Sequence, residues 1–403
     1  MGKRISDWLE THWVAPAFSG WLIGGLSLFF FMAATNTLAG WLYVISGVSF
    51  ALLAVAAFLS ARSLQDIWVS RCLIHPVSVG DSLMVELVLR NSSPQPKTLL
   101  QAYDLLPSVL AKPVFTVVET IAPDSEHHWL YQQSAQRRGV YHWHTVQLRT
   151  AAPLGLFWCR RSQNVNATAI VYPTVLPLSH CPLVDQMGQE ESLRLQSNRR
   201  TQMATEGLTR ALRPYRWGDP TRLIHWRTSA RYGELRIREL EIFTGGQEIL
   251  ICLDSALSWQ HGTIESELAS AALEPLDAFE QAVIAAASLY FYAHRQSFQP
   301  RLWTAGTGLI HGNQNVLETL ASTQAGEEVR AESLPDHPLI WLTQNPTSLN
   351  SLPAGSRWLL WPPSPEAQAS ESQRSPTVLS SPGLVIQPTE PLQLQLQGAL
   401  SHL

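Results

Sequence analysis

Apolar and polar residues follow three different patterns along this chain. Between Glu10 and Arg62 no Asp, Glu, Lys or Arg occurs. Two apolar runs fill that window, about residues 17–34 and 39–60. Each is near the ~20 residues needed to cross a bilayer. Thr35-Asn36-Thr37 makes a minimal polar turn between them. Backbone groups in lipid must be paired within the segment, so the pattern predicts a transmembrane helical hairpin over residues 1–62. A secretory signal would be shorter, single and followed by a small-residue cleavage site.

From about residue 63 to 185 the period changes to two. "LMVELVLRNSSPQPKTLL" alternates and then breaks at a turn, while "PVFTVVETIAP", "GVYHWHTVQLRT" and "AIVYPTV" are β-branched or aromatic runs. Short strands at this spacing predict an antiparallel β-sandwich. From 186 to 362 strand and helix patterns alternate. "EILICLD" is a continuous apolar run, as in a buried parallel strand, and a long alanine-rich helical stretch follows it. "PRLWTAG", "HPLIWLTQ" and "RWLLWPP" read as further strands and "QNVLETLAST" as a helix, which predicts an α/β sheet. Residues 363–403 are rich in Ser, Pro and Gln and are expected to be mostly disordered.

Charge refines this picture. Lys3 and Arg4 precede the hairpin and Arg62 and Arg71 follow it, so the positive-inside rule places both ends and all later residues in the cytoplasm. The overall net charge is −4, which does not suit a polyanion binder. From Arg194 to Arg238, however, 11 arginines face 3 acids, and from Glu239 to Ile340 14 acids face 3 bases. Adjacent blocks of opposite sign attract within one fold. Cys72, Cys159, Cys181 and Cys252 show no metal-ligand spacing and read as reduced, buried residues.

The candidate chemistry concentrates in "RALRPYRWGDPTRLIHWRTSAR", with six arginines, two tryptophans, a histidine and a tyrosine. Asp219 suits an N-cap, Pro220 a first helical position and Gly233 a C-terminal stop, so one short helix is expected. Leu223, Trp226 and Ala230 would form its apolar face. His225 and Asp219 could be read as an acid–base pair, but six residues apart they lie on different faces, and no nucleophile stands beside them. Arginines among aromatics also suit nucleic acid, but half-buried aromatics and the acidic block weigh against that reading. The preferred reading is a clasp. Trp226 is buried, and Arg222 and Arg231 pair with carboxylates, in the Glu239–Glu241 strand or the sandwich.

This stretch closely resembles the signature of the domain of unknown function 58 family, Arg-x-Tyr-x-x-Gly-Asp-x-x-Arg-x-Ile-His/Asp-Trp-x-x-Ser-Ala-Arg. Arg213, Tyr215, Gly218, Asp219, Arg222, Ile224, His225, Trp226, Ser229, Ala230 and Arg231 fill it. The earlier turn Pro153-Leu154-Gly155-Leu156-Phe157 resembles the family's Pro-x-Gly-Leu-Phe turn, although Ala152 stands where the family usually has Asp. The resemblance covers roughly residues 17–345. It implies a membrane-anchored protein with a von Willebrand A-like α/β domain, serving as an adaptor for a MoxR-type AAA+ ATPase.

In a von Willebrand A domain an Asp-x-Ser-x-Ser string after the first strand ligates Mg²⁺, because oxygen donors suit a hard ion. Here the string is Asp254-Ser255-Ala256-Leu257-Ser258. Ala256 replaces the middle hydroxyl, and Gln344 stands where a later Asp is expected. Asp254 and Ser258 are thus a degenerate pair, and no metal or other cofactor is expected. The function expected is a membrane-tethered, cytoplasmic, non-enzymatic scaffold or adaptor. Its partners would be a MoxR-type ATPase, the lipid bilayer and other membrane or envelope proteins, with no nucleic acid. The alternative is a hydrolase acting on a phosphate or cell-envelope precursor.

Overall fold

The computed structural model describes residues 8–187, 208–215, 221–241, 248–259, 277–330, 337–362, 381–387 and 390–400. The chain divides into two compact units, Met1–Tyr172 and Pro173–Leu403. The second unit therefore starts earlier than the composition change after residue 185 suggests. Leu178, Cys181, Leu183 and Val184 already belong to its core.

In the first unit a two-residue strand, β1 (Ala15–Pro16), leads directly into α1 (Phe18–Thr37), and α2 (Gly40–Ser63) returns. Both helices are long and apolar enough to cross a membrane. Most of their large apolar side chains face outward. Leu38 turns the chain between them in the left-handed conformation, φ 54°.

Eight strands follow: β2 (Ile67–Arg71), β3 (Val77–Ser78), β4 (Ser82–Asn91), β5 (Lys97–Asp104), β6 (Val114–Ile121), β7 (Glu126–Ser134), β8 (Gly139–Thr150) and β9 (Phe157–Tyr172). One sheet has the order β2-β4-β7 and the other β1-β9-β8-β5-β6, with β3 also pairing β9. All pairings are antiparallel except β3–β9. The period-two pattern has the expected effect: Leu83, Val85, Leu87 and Leu89 of β4 all point inward. They share one hydrophobic cluster with Leu100 and Ala102 of β5 and Val146 and Leu148 of β8. Ala57 and Leu64, at the end of the hairpin, belong to the same cluster.

That core also holds a buried charge pair. Asp104 is fully buried, and the Arg71 side chain is 2% exposed. The guanidinium donates to both carboxylate oxygens, at 2.5 and 3.1 Å. The Tyr131 hydroxyl and the Trp143 indole N–H donate to the same carboxylate at 2.6 and 3.0 Å. Four donors and an adjacent cation keep this carboxylate satisfied out of water.

The second unit holds a separate ribbon, β10 (Leu208–Pro214) with β11 (Arg236–Glu241). Between them lies α3 (Trp226–Tyr232). Next come β12 (Glu248–Leu253), α4 (Ala278–Arg295), β13 (Gln299–Thr304), β14 (Gly308–Ile310), α5 (Asn313–Ser322), β15 (Leu339–Thr343) and β16 (Arg357–Leu360). The last elements are β17 (Gly383–Val385) and α6 (Leu392–Leu396). The sheet order is β14-β13-β12-β15-β16-β17. Only β14 runs antiparallel to its neighbour. The first strand, β12, is central, and Ile249–Leu253 are all buried, as a two-sided parallel strand requires.

The expectation of a disordered tail fails for its described part. "GLV" adds β17 to the edge of the sheet beside β16. Ile386 and Leu396 enter the core. Gly383 is required there, since a Cβ would lie 2.1 Å from the Trp358 ring. A Ser/Pro/Gln-rich composition hid a short apolar run with a sheet edge to cover.

Candidate functional site

Two places gather the residues singled out in the sequence. The first is the excursion between β10 and β11. A single helix from Asp219 is not what forms. A 3₁₀ turn occupies Thr221–Leu223, Ile224 bridges to Ile237, and α3 starts at Trp226. Gly218, Asp219 and Pro220 lie outside the described residues, as does the Arg222 side chain.

The N-cap is His225. Its Nδ1 accepts the Thr228 backbone N–H at 3.2 Å and contacts the Thr228 hydroxyl at 2.5 Å. Its own N–H donates to the Arg236 carbonyl at 2.8 Å. A ring nitrogen that accepts here is unprotonated, so the role is that of a capping acceptor. A capping role accounts for the His-or-Asp choice in the resembled signature, since either side chain offers an acceptor to the third helical N–H. The helix ends as expected, with Gly233 at φ 72° donating its N–H to the Ser229 carbonyl.

Ser229, not Trp226, faces inward. It is buried, and its hydroxyl accepts the Arg236 N–H at 2.9 Å. With Ile224 and Ile237 it makes the inner side of this small structure. Trp226 is 66% exposed. The expected apolar face of Leu223, Trp226 and Ala230 is therefore wrong, because Ala230 is exposed as well and Leu223 is only half-buried. The helix begins six residues beyond Pro220 and is seven residues long, so its phase is set by the Ser229 and His225 bonds.

Arg227 and Arg231 are exposed and form no ion pair among the described residues. Tyr232, also exposed, lies under the Arg236 guanidinium at 4.5 Å, and Arg236 pairs with Glu234 at 2.6 Å. Arg213 is half-buried and donates to the Pro214 carbonyl, and the Tyr215 N–H donates to the Leu235 carbonyl. The clasp loses its apolar anchor with Trp226 in solvent. What remains is a short helix presenting Trp226, Arg227, Ala230 and Arg231 on one side.

The second place is the carboxyl end of the sheet between β12 and β15, where crossovers depart in opposite directions and α/β proteins commonly place ligands. Asp254 follows β12, and Thr343 ends β15. The Thr343 hydroxyl donates to Asp254 Oδ2 at 2.7 Å. Burial raises the Asp254 pKa, while the Thr343 bond and the Leu257 N–H act against that shift. Ser255 is fully buried, and its hydroxyl accepts the Ala305 N–H at 2.9 Å. Its carbonyl accepts from Gly326 and Glu327, both at 2.9 Å. Glu327 Oε1 accepts the Gln324 N–H at 3.0 Å, and its Oε2 is buried without a hydrogen-bond partner among the described residues. Ser258 is exposed and Gln344 buried.

These donors do not match a divalent-cation cage. Asp254 has one oxygen committed to Thr343. Ser255 is turned to the backbone, and no group of three or more His, Cys, Asp or Glu side chains converges among the described residues. A hard cation takes six or more oxygens with several charges among them. Sequence reasoning found Asp254 but missed Thr343 and Glu327. Thr343 was legible only as the polar end of the "LIWLT" run.

The family model described as "Protein of unknown function DUF58" matches residues 211–304, a span that includes α3 and Asp254. The uncharacterized protein YeaD of Bacillus subtilis (strain 168) is 27% identical over 167 residues, 40% of this chain and 41% of that relative. The chain thus matches about two fifths of that relative's length. Among solved structures, the CARDB domain of PF1109 from Pyrococcus furiosus aligns at TM-score 0.18 and 11% identity, over 25% of this chain and 87% of that one. Red sea bream transglutaminase aligns at TM-score 0.20 and 15% identity, over 27% and 15%. Scores this low bear on neither fold nor function.

Proposed function

We propose that this chain is a membrane-tethered scaffold or adaptor with its soluble units in the cytoplasm. In this reading it works with a MoxR-type AAA+ ATPase in the assembly or maturation of other membrane or envelope proteins. The first unit is a β-sandwich carried by a transmembrane hairpin, and the second is von Willebrand A-like. Two sheets sharing one core support the former. A parallel sheet whose central first strand ends in Asp-x-x-x-Ser supports the latter.

One observation carries the adaptor reading. A large aromatic residue of the signature, Trp226, stands in solvent at 66% exposure beside two exposed arginines, while the local fold is held by Ile224, His225, Ser229 and Ile237. Trp and Arg are among the residues enriched at protein–protein hot spots. Nucleic acid is disfavoured because the basic stretch runs directly into an acidic one, with 14 acids against 3 bases from Glu239 to Ile340, which repels a phosphate backbone. His225 is used as a cap, so its ring nitrogen is engaged in structure and does not serve the hydrolase alternative as a general base.

The test is purification of the tagged full-length chain from membranes of cells that also express a MoxR-type ATPase. The adaptor reading predicts that the chain stays with membranes through alkaline washing and that the ATPase co-purifies. A chain released into the soluble fraction, or an ATPase that never co-purifies, contradicts it.

A further inference from the structure

The turn Pro153-Leu154-Gly155-Leu156 was left without a role by the functional reading, yet the structure places it against both hairpin helices. The Ala17 N–H donates to the Leu156 carbonyl at 2.8 Å, and the Ser19 hydroxyl donates to the Gly155 carbonyl at 2.7 Å. The Ser60 hydroxyl donates to the Ala152 carbonyl at 3.2 Å. At Gly20 any side chain would collide, since a Cβ would lie 2.3 Å from the Leu156 oxygen. The turn thus meets the first residues of α1 and the last turn of α2.

The level of that contact follows from helix geometry. With a rise of about 1.5 Å per residue, ~20 residues counted back from Thr37 span ~30 Å and reach Phe18. The same count along α2 from Gly40 reaches Leu59 and Ser60. If the polar Thr35–Thr37 end marks one face of the hydrocarbon layer, the turn lies at the other. Side chains at that level match a membrane boundary. Trp13, Phe18, Trp21 and Phe58 are exposed, and the Arg62 guanidinium lies over the Phe58 ring at 5.1 Å. Tryptophan and long cations gather at such interfaces. Leu154, in the same turn, is 48% exposed.

We infer that the Pro153–Gly155 turn is a third membrane contact, with Leu154 resting in the headgroup boundary of the bilayer that the hairpin crosses. This rests on the reading that the hairpin is transmembrane. The partner is a lipid surface, because Leu154 is exposed on a turn hydrogen-bonded to the start of α1 and the end of α2, whose outward side chains are apolar. No flexible tether separates the parts. β1 ends at Pro16 and α1 begins at Phe18, while α2 ends at Ser63 and β2 begins at Ile67. The first unit is therefore seated on the membrane in one fixed orientation.

The test uses the full-length chain in vesicles of phosphatidylcholine and phosphatidylglycerol. The exposed Cys72 is replaced in Cys72→Ser, which leaves three buried cysteines. An environment-sensitive NBD label is then placed singly by Leu154→Cys, Leu38→Cys or Val109→Cys, all at exposed positions. The Leu154 label is expected to emit at shorter wavelength than the Val109 label. Lipids with a nitroxide near the headgroup should quench it more than lipids with one near the chain end. The Leu38 and Val109 labels report on the hairpin itself, and the fractions bleached by external dithionite should be complementary. Complementary fractions with a water-like, unquenched Leu154 label overturn the third contact and leave the hairpin reading standing. Complete bleaching of both the Leu38 and the Val109 labels overturns both.

Discussion

His225 holds the start of the signature helix through Thr228, accepting its backbone N–H at 3.2 Å on an unprotonated ring nitrogen. His225→Ala removes that acceptor and should cost about 0.5–2 kcal/mol, the usual loss for an N-cap. His225→Asp should retain most of the stability. Chemical denaturation of the full chain in detergent, with both variants, checks this. An acid–base role would instead leave stability intact in both.

Trp226 and Ile237 lie on opposite sides of the same small structure and should behave oppositely. Ile237 is buried, so Ile237→Ala should cost about 2–5 kcal/mol. Trp226→Ala removes an exposed side chain and should change stability by no more than about 0.5 kcal/mol. Thermal melts of the two variants decide it, and a large loss in Trp226→Ala would restore the buried clasp.

Asp104 neutralises a guanidinium that has no route to water. Asp104→Ala should destabilise by about 3–5 kcal/mol, because Arg71 would be left buried and uncompensated. Replacing both, Arg71→Met with Asp104→Leu, should cost less than the single change, although Tyr131 and Trp143 then lose an acceptor. Urea denaturation of the two variants measures the difference, and a milder single variant would contradict the pairing.

Asp254 carries a pH signature. Burial raises its folded-state pKa above the unfolded value, so ionisation costs the folded state. Below the unfolded pKa, near ~4, the carboxyl is neutral in both states and there is no penalty. The penalty grows as pH rises through the folded pKa. Asp254→Asn should therefore raise the melting temperature at pH 7–8, with the gain shrinking toward pH 4. The wild-type chain should show no saturable Mg²⁺ heat by calorimetry. Mg²⁺ binding that disappears in Asp254→Asn would show that the donor set was misjudged.

Much of the architecture was legible in the sequence because its signals are periodic. The uncharged window gave the two apolar helices, alternation gave β4, and "EILICLD" gave a central parallel strand. The errors share a physical cause. Trp226 was assigned to a buried face by spacing counted from Leu223, but the helix starts only at Trp226 and its phase is fixed by His225 and Ser229. β17 was missed because three residues in a polar tail carry no periodicity of their own, and the edge of β16 supplies the reason for them to order. Thr343 and Asp254 are 89 positions apart, and only the parallel β12–β15 pairing brings them together.

The central claim is that the exposed side of α3 binds a partner protein. It is tested most directly by co-purification of a MoxR-type ATPase with the membrane-embedded full chain, comparing wild type with the double variant Trp226→Ala, Arg231→Glu. The account predicts that the ATPase is lost while the melting temperature of the chain is unchanged. Undiminished co-purification by a folded double variant would contradict it.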